Sequence, residues 1–311
     1  MSKLIAEYSR LFSFLLSGSS KLRDVLKFLR PQPSPFNLVR LGGDSDGAYL
    51  VPDDLVGLSY CISPGVDTCK RFEDDLLEIY GIPSVLCDPT TDDSRLSAPL
   101  VKGKQILVKK WLTSRNSDEE ITLGSLVLNY CSPGHLDKLL QIDIEGGEYE
   151  GLGTVDLQTL LSFRIIIIEL HNLDMLIRPW DKSYEKMMKF FALISAHFVC
   201  VHAHGNNCCG DISVPGVALN LPRVLEISLI RIDRFESAAK IRTVNPLVKN
   251  HPLDVTNVRS NEQIVLNDVW YMSDKQFVSR WTSGAFALLF AVVKEYGKLQ
   301  VNRVTKMLKD R

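Results

Sequence analysis

Apolar and polar residues alternate along the chain in a way that predicts strands and helices in turn between residues 58 and 231. The most apolar segment, 165–170, holds four consecutive isoleucines, so both faces of this strand are expected to be buried. Further strands are predicted at 58–62, 84–87, 105–112, 139–144, 198–201 and 224–231. Helices are predicted between them at 72–80, 121–130 and 187–196. This order predicts an α/β fold with a doubly wound, mostly parallel sheet and helices on both faces.

The segments on either side of this alternation predict additions to the α/β domain. Apolar residues recur at helical spacing up to residue 30, and three prolines between 31 and 35 then form a connector. We therefore expect an N-terminal helical arm over 1–35, the domain over 36–235, and a C-terminal extension packed on the domain over 236–311. The extension includes a predicted helix around 285–296.

Two segments leave alternatives open. The arm has three alternative roles: packing on the domain, contacts in a homodimer, or binding to a membrane surface. Packing is favoured because the polar positions of the arm are not markedly basic. Between residues 38 and 52, two strand-like runs flank a turn rich in Gly and Asp, which predicts a β-hairpin. A loop folded over a ligand is the alternative, because glycine lets a backbone approach closely.

Composition and charge narrow the function classes. With 45% hydrophobic and 23% charged residues, the 311-residue chain has the composition of a soluble globular protein. Its formal net charge of −1 favours no nucleic-acid partner. The seven cysteines include no CxxC pair, which argues against a zinc ribbon or finger and suits a reducing compartment. We recognise no signal peptide and no apolar stretch near the roughly 20 residues of a transmembrane helix, so we expect a cytoplasmic protein.

The strongest candidate chemistry follows the predicted strand at 139–144. Four carboxylates, those of Asp143, Glu145, Glu148 and Glu150, fall within eight residues, and two glycines let the chain turn into a helix. Period-2 alternation places Asp143 and Glu145 on one face. An acidic first turn of a helix is the structural alternative, and it remains the explanation of Glu148 and Glu150.

Polar residues also end the other predicted strands, and in a parallel sheet these ends face one crevice. They are Gly65 and Asp67, Asp88, Glu169 and His171, and then His202, His204 and Asn206. Each has a structural alternative. The loop at 63–65 lacks a GxGxxG fingerprint, Asp88 suits a turn, and a strand-end histidine can bond a backbone carbonyl. One of His202 and His204 is expected to be structural.

Taken in order, these segments resemble the FkbM-type family of S-adenosylmethionine-dependent methyltransferases. The similarity covers about residues 38–232 and rests on six segments, 40–49, 63–67, 88–90, 143–150, 169–171 and 202–207. The block at 143–150, Asp-Ile-Glu-Gly-Gly-Glu-Tyr-Glu, is the most specific. The chain departs from the family at 63–67, where two or three glycines are usual and only Gly65 is present, after Pro64.

The resemblance implies a Rossmann-like class I methyltransferase fold with seven strands, the last antiparallel to the others, and S-adenosylmethionine as the cofactor. It implies that the loop from Ser63 to Asp67 passes beside the methionine part of the cofactor and that Asp88 binds the ribose. Asp143 is implied to lie at the end of the fourth strand, beside the transferred methyl group. The implied cofactor-binding residues are therefore Ser63, Gly65, Asp67, Asp88 and Asp143.

Methyl transfer makes modest demands on side chains, since an in-line displacement depends mainly on the position of the acceptor. A neutral histidine can take the proton of the acceptor near neutral pH. We therefore predict His171 or His204 as the base and Asp143 as the residue that orients the acceptor. The residues predicted to bind the acceptor are Asp46, Tyr49, Glu145 and Asn206.

The predicted function is O-methylation of a hydroxyl group on a sugar, glycan or small metabolite, an acceptor class that comes from the family resemblance. One alternative is a non-catalytic relative whose crevice binds a ligand or partner. Another is a metal-dependent enzyme such as a hydrolase, with a divalent cation bound by Asp143, Glu145, Glu169 and His171. The metal is the less favoured interpretation, and no metal ligand is assigned.

Overall fold

The computed structural model describes residues 19–132, 137–178, 180–214, 217–284 and 287. Helix α1 (Ser19–Leu29) comes first, and strands β1 (Leu38–Leu41) and β2 (Tyr49–Pro52) then pair antiparallel. The predicted hairpin is therefore confirmed. The helices predicted within residues 1–18 and, apart from residue 287, the helix predicted at 285–296 lie outside the described residues.

A seven-stranded sheet forms the centre of the described structure. The strands that follow the hairpin are β3 (Cys61–Pro64), β4 (Ser84–Cys87), β5 (Gln105–Val108), β6 (Trp111–Leu112), β7 (Glu120–Ile121), β8 (Lys138–Ile142), β9 (Phe163–Leu170), β10 (Phe198–Val214) and β11 (Leu219–Arg231). The sheet has the order β10-β11-β9-β8-β3-β4-β5, while β6 and β7 pair separately. Strand β11 is antiparallel to both neighbours and the other pairs are parallel, so the predicted mostly parallel sheet is confirmed.

Helices pack on both faces of the sheet. After α1 they are α2 (Arg71–Tyr80), α3 (Leu123–Tyr130), α4 (Glu148–Gly153), α5 (Leu157–Leu161), α6 (Lys182–Ser195) and α7 (Ile232–Ala239). Strand β9 is buried along its whole length, with Ile166 and Ile168 in one apolar cluster and Ile165 and Ile167 in another. The first cluster includes side chains of α1, α3 and α6, and the second includes side chains of α2 and the hairpin. The prediction that both faces of this strand are covered is confirmed.

Local hydrogen bonding shifts the ends of several predicted elements. The strand predicted at 105–112 divides into β5 and β6. Helix α3 begins after Thr122, whose side chain accepts a hydrogen bond from the Ser125 N–H, so the helix starts at 123 and not at the predicted 121. Helix α2 ends at Gly81, which takes the left-handed conformation, and Ile79 near this end is exposed.

The largest change concerns the strand predicted at 198–201. It continues to Val214, because β11 pairs with it up to Asn206 and again from Asp211, with register shifts at Cys200/His202 and Asn206/Asp211. His202, His204 and Asn206 therefore lie within a strand and not in the loop after it. The length of such an antiparallel pair depends on the register between the two strands, and a local run of apolar residues carries no information about that register.

Residues beyond α7 return to the sheet and to the N-terminal segment. Gly205 of β10 forms an isolated bridge with Ile264, and Ser34 forms one with Asn245. Trp270, in a 3-10 turn at Asp268–Tyr271, is fully buried. The division into 1–35, 36–235 and 236–311 stays a prediction. Within the described ranges, no helix is both long and apolar enough to cross a membrane.

Candidate functional site

The crevice begins where β3 and β8 end side by side. The Asp143 N–H donates to the Pro64 carbonyl (3.1 Å), which ties the two strand ends together. Gly65 has a φ of +85°, and a Cβ added there would lie 1.5 Å from the Asp143 carbonyl oxygen. No other residue type fits this crossing without a backbone shift. The structure thus brings Gly65 and Asp143 together.

His171 follows β9 and is held by groups from the segment after β8. Its Nδ1 lies 2.9 Å from Oε1 of Glu148, which is fully buried and also accepts from the N–H groups of Ile144 and Gly146. The Tyr149 hydroxyl donates to the His171 carbonyl (2.6 Å). Glu148 therefore fixes the ring, and Tyr149 fixes the backbone that carries it. Glu148 does open α4, but the helix-terminus explanation is incomplete, because its carboxylate orients His171.

The other nitrogen of His171 faces three carboxylates. Nε2 lies 3.4 Å from Glu145, 3.7 Å from Glu169 and 3.8 Å from Asp143. Glu145 itself is largely exposed at the rim. His171 and Asp143, both predicted to be catalytic, therefore lie next to each other, with Glu145 beside them.

The pKa values of Asp143 and His171 are both raised in this group. Burial raises the pKa of Asp143 to about 6, with the charge of His171 acting against it and those of Glu145 and Glu148 adding to it. Burial works to lower the pKa of His171, but the hydrogen bond and charge of Glu148, with Asp143 and Glu145, outweigh it and leave that pKa raised. Both groups therefore hold a proton more readily than they would in water.

A second set of polar side chains crosses three neighbouring strands. The antiparallel register places His204 opposite Glu226, and Glu226 opposite Glu169. All three are buried. Burial and the charges of neighbouring acids raise the pKa of Glu169 to about 11, and burial raises that of Glu226 to about 7. We call Glu169, Glu226 and His204 the strand row.

The predicted acceptor residues lie around these two sets. The Tyr49 hydroxyl donates to Asp143 (3.3 Å), and Asn206 donates to Glu169 (2.9 Å). Asp46, on the turn of the hairpin, accepts from Asn257 (2.9 Å) and has a carboxylate oxygen within 4.8 Å of those of Glu169 and Glu226. The hairpin thus lies over the crevice.

The second histidine predicted as a base lies in a different setting from His171. His204 Nδ1 is 3.6 Å from Asp254, and His202 Nε2 is 2.9 Å from the same carboxylate. Despite its burial, the pKa of Asp254 is held well below its usual range by hydrogen bonds with both histidines. Both histidines thus fix the extension to β10, whereas one of them was expected to be structural.

The predicted cofactor loop is organised by its own polar groups. Ser63 is fully buried, and its hydroxyl hydrogen-bonds with the buried side chains of Glu73 and Gln141. The Asp67 N–H donates to Oδ2 of Asp88 (2.8 Å). Oδ1 of Asp88 accepts from the N–H and the hydroxyl of Thr90 (both 2.7 Å). Ser63 therefore points into the interior, while Asp88 joins the loops after β3 and β4.

Sequence reasoning missed several residues that line the crevice. Glu226 is an acid inside an otherwise apolar strand, a signal that could have been recognised because a buried acid needs a partner. Asp254 and Asn257 belong to the extension, where no local pattern marks them. Among the residues that the structure describes, two groups have ligand atoms within 4.8 Å of one another, as a metal requires: Asp143, Glu145 and His171, and Asp46, Glu169 and Glu226.

The comparison with protein families identifies a domain in the middle of the chain. The family model described as the methyltransferase FkbM domain matches residues 74–193. The match confirms the family resemblance over this segment, which includes Asp88, Asp143 and His171 but not the loop at 63–67. It supports a methyltransferase in general, without specifying the acceptor.

Comparison with solved structures and with curated proteins does not narrow the function further. Among solved structures, the chain is similar to one from Pyrococcus horikoshii described as a "putative RNA methyltransferase", with 14% identity over 58% of this chain and 75% of that chain. Its TM-score of 0.30 is too low to support any statement about fold or function. No curated protein matches the chain.

Proposed function

Because residues 74–193 match the methyltransferase FkbM domain, we propose that the protein is an S-adenosylmethionine-dependent methyltransferase. We further propose that it methylates a hydroxyl group of a sugar, glycan or small metabolite. The observation that carries the proposal is the meeting of Gly65, Asp143 and His171 where β3, β8 and β9 end. In open α/β sheets, ligands bind outside the carboxyl ends of the strands.

The strand order supports a Rossmann-like class I methyltransferase fold. The first three strands of the sheet, β3, β4 and β5, lie on one side of β8 and β9, and the antiparallel β11 lies inside β10. The loop after β3 and the end of β8 meet at the centre of the sheet. This is the place where strand order reverses, and such positions open a ligand crevice.

The residues around this crevice fit a cationic cofactor. A carboxylate offers about four acceptor sites, and Asp88 uses three of them for Asp67 and Thr90, which leaves one for a ribose hydroxyl. Acids beside His171 suit a positively charged group. When bound, S-adenosylmethionine supplies the methyl group from its sulfonium.

The side chains then have separate tasks. Glu148 holds the ring of His171 and raises its pKa, so Nε2 is placed to take the proton of an acceptor hydroxyl. Asp143 and Tyr49 position the acceptor next to that nitrogen. His171 is a better candidate for the base than His204, whose ring is engaged with Asp254 at the extension.

The test combines cofactor binding with turnover. We expect S-adenosylhomocysteine to bind in calorimetry, and a radiolabelled methyl group to pass from S-adenosylmethionine to one of a panel of sugars, glycans and hydroxylated metabolites. His171→Asn should lower turnover at least about 100-fold, while the affinity for S-adenosylhomocysteine stays within about threefold. Retained turnover in the double variant His171→Ala, His204→Ala would refute the assignment of the base.

A second candidate is a non-catalytic relative that binds a ligand or partner. It is favoured by the loop after β3, where Ser63 is turned inward and Asp88 already satisfies backbone and side-chain donors of its own chain. The same calorimetry separates the two candidates. If folded protein gives no heat of binding with either S-adenosylmethionine or S-adenosylhomocysteine, the non-catalytic candidate is favoured.

A further inference from the structure

Two adjacent cysteines, Cys208 and Cys209, lie in an irregular part of β10. In the register of β10 with β11, the residues 207–210 stand opposite the single residue Arg223. Extra residues of this kind form a β-bulge, in which the backbone departs from the regular pleat. Both cysteines are exposed, and both thiols are free.

The bulge brings the two thiols into contact. In a regular strand, successive side chains point to opposite faces of the sheet, which separates the sulfur atoms of neighbouring cysteines. Here the Cys208 thiol instead donates a hydrogen bond to Sγ of Cys209 (2.7 Å). Gly210, the next residue, has a φ of +71°, so the chain turns directly after the pair. The two sulfur atoms therefore lie on one side of the chain, within reach of reagents in solution.

The other cysteines are placed differently. Four of them are buried: Cys61, Cys87, Cys131 and Cys200. Burial raises the pKa of each of these four thiols, which suppresses the reactive thiolate. Cys69, the remaining exposed cysteine, precedes α2 and has no cysteine next to it in the sequence. The pair at 208–209 is thus the place where exposed thiols meet.

Hydrogen bonds connect this pair to the crevice. The Cys208 N–H donates to Oδ1 of Asn206 (2.9 Å), and Nδ2 of the same side chain donates to Glu169 (2.9 Å). Oε1 of Glu169 lies 3.7 Å from Nε2 of His171, the proposed base. Asn206 is buried, so water cannot readily replace a hydrogen bond that it loses.

The residue before the pair is held by the C-terminal extension. Asn207 is buried, and its Nδ2 donates to the carbonyls of Val258 (2.9 Å) and Asn261 (3.1 Å). Its own carbonyl accepts from Nδ2 of Asn261 (2.9 Å). The peptide unit that enters Cys208 is therefore fixed on both sides, by Asn261 at its carbonyl and by Asn206 at its N–H.

A bond between the two sulfur atoms would disturb these contacts. Adjacent Cα atoms are about 3.8 Å apart, whereas Cα atoms joined by a disulfide are usually about 4.4–6.8 Å apart. Ring closure between neighbouring residues therefore requires the local backbone to shift. Since Asn207 is held by the extension, the shift falls on residues 208–210 and on the hydrogen bond from the Cys208 N–H to Asn206.

We propose that Cys208 and Cys209 form a vicinal disulfide by exchange with a small disulfide such as glutathione disulfide. The Cys209 thiolate, favoured by the hydrogen bond from Cys208, attacks one sulfur of the oxidant and releases one glutathione. The Cys208 sulfur, after loss of its proton, attacks Cys209 and releases the second glutathione. The two protein thiols lose two protons and two electrons in total. Glutathione disulfide gains them and leaves as two thiols.

Oxidation should also slow methyl transfer, an effect that rests on the proposed function. The shift at Cys208 loosens the hydrogen bond to Asn206, and Asn206 in turn holds Glu169 beside His171. Formation of the disulfide itself does not depend on the proposed function, because the thiols lie outside the methyl-transfer crevice.

The test treats the whole chain with about 1 mM glutathione disulfide near pH 8, where a cysteine of ordinary pKa is partly thiolate. The protein is then unfolded in acid, its remaining thiols are alkylated, and its peptides are weighed by mass spectrometry. We expect the wild-type peptide that contains both cysteines to carry neither the alkyl group nor glutathione, and to have lost two hydrogens.

Variants separate the two steps of the exchange. Cys208→Ser should stop at glutathione bound to Cys209, and Cys209→Ser should react at least about tenfold more slowly than the wild type. Both residues are exposed, so both variants should fold. Cys69→Ser, at the other exposed cysteine, is the matched control and should form the vicinal disulfide at the wild-type rate.

Two results would overturn the proposal. One is complete alkylation of Cys208 and Cys209 under conditions in which Cys69 already carries glutathione. The other is glutathione that stays on Cys208 or Cys209 of the wild type without forming the internal disulfide.

Turnover before and after oxidation tests the effect on methyl transfer. We expect a loss of at least about tenfold that dithiothreitol reverses and that Cys209→Ser does not show. Unchanged turnover of fully oxidised protein would refute this effect alone. Because mass spectrometry detects the disulfide without any methyl acceptor, the proposed disulfide and the proposed function can each fail separately.

Discussion

Gly65 lies where the loop after β3 crosses the end of β8. Its φ of +85° belongs to the left-handed region, and the space for a Cβ is occupied by the Asp143 carbonyl. Two constraints therefore act on one residue, backbone conformation and contact. The single glycine of this loop keeps the two strand ends at hydrogen-bonding distance, which is what places Asp143 in the crevice.

We predict that Gly65→Ala destabilises the protein by at least about 3 kcal/mol, because strain from the positive φ adds to displacement of the Asp143 backbone. Gly103→Ala is the matched control: it has a φ of +74° and nothing within 4 Å of the added Cβ. It should cost about 1 kcal/mol. Urea unfolding of both variants measures the difference, and equal costs would show that the crossing is not the constraint.

Helix α2, which packs on one face of the sheet, contains a buried acid. Glu73 lies with Phe72 and Leu76 on its buried face and hydrogen-bonds with Ser63 of β3. Burial raises the pKa of Glu73 to about 7 from an ordinary value of 4.5. The folded state therefore holds a proton that the unfolded chain has lost between these pH values. Stability contributed by this group must fall as pH rises through that window.

We predict that Glu73→Gln removes this pH dependence. The free energy of unfolding of the wild type, compared with the variant, should fall by about 3 kcal/mol between pH 5 and pH 8, since one pKa unit corresponds to about 1.4 kcal/mol. Glu78→Gln, on the exposed side of the same helix, should follow the wild type. Denaturant unfolding at both pH values measures this. A constant difference between wild type and Glu73→Gln would contradict the prediction.

At the scale of the whole molecule, the two ends of the described chain share one core with the sheet. Leu26 of α1, Phe191 of α6 and Trp270 belong to the same apolar cluster. Arg30 donates to the Trp270 carbonyl, and the Trp270 indole donates to the Asn220 carbonyl (2.7 Å). Segments far apart in sequence should therefore unfold together.

We predict that Trp270→Ala lowers the free energy of unfolding by about 3–5 kcal/mol, through loss of buried area and the cavity left behind. Unfolding should remain a single transition, with circular dichroism and fluorescence coincident. Trp111→Ala is the control, since Trp111 is about half exposed, and it should cost less than about 1 kcal/mol. A separate early transition in Trp270→Ala would mean that the extension unfolds independently of the sheet.

Local patterns were sufficient for much of the fold. The run of four isoleucines requires two covered faces, Gly81 ends α2, and the acids at the end of β8 mark the crevice. Each of these follows from a period, a cap or a strand end, which are properties of neighbouring residues. The FkbM-type resemblance is also carried by contiguous segments, and so it could be recognised without a structure.

Contacts between residues distant in sequence could be seen only once the chain was folded. The strand row depends on the register of β9, β10 and β11, including two register shifts in β10, and a slip of one residue would turn its side chains to the opposite face. Asp254 and Asn257 join the crevice only because the extension folds back over β10. Local sequence therefore specifies the chemistry at each strand end, whereas long-range packing specifies which of these groups meet.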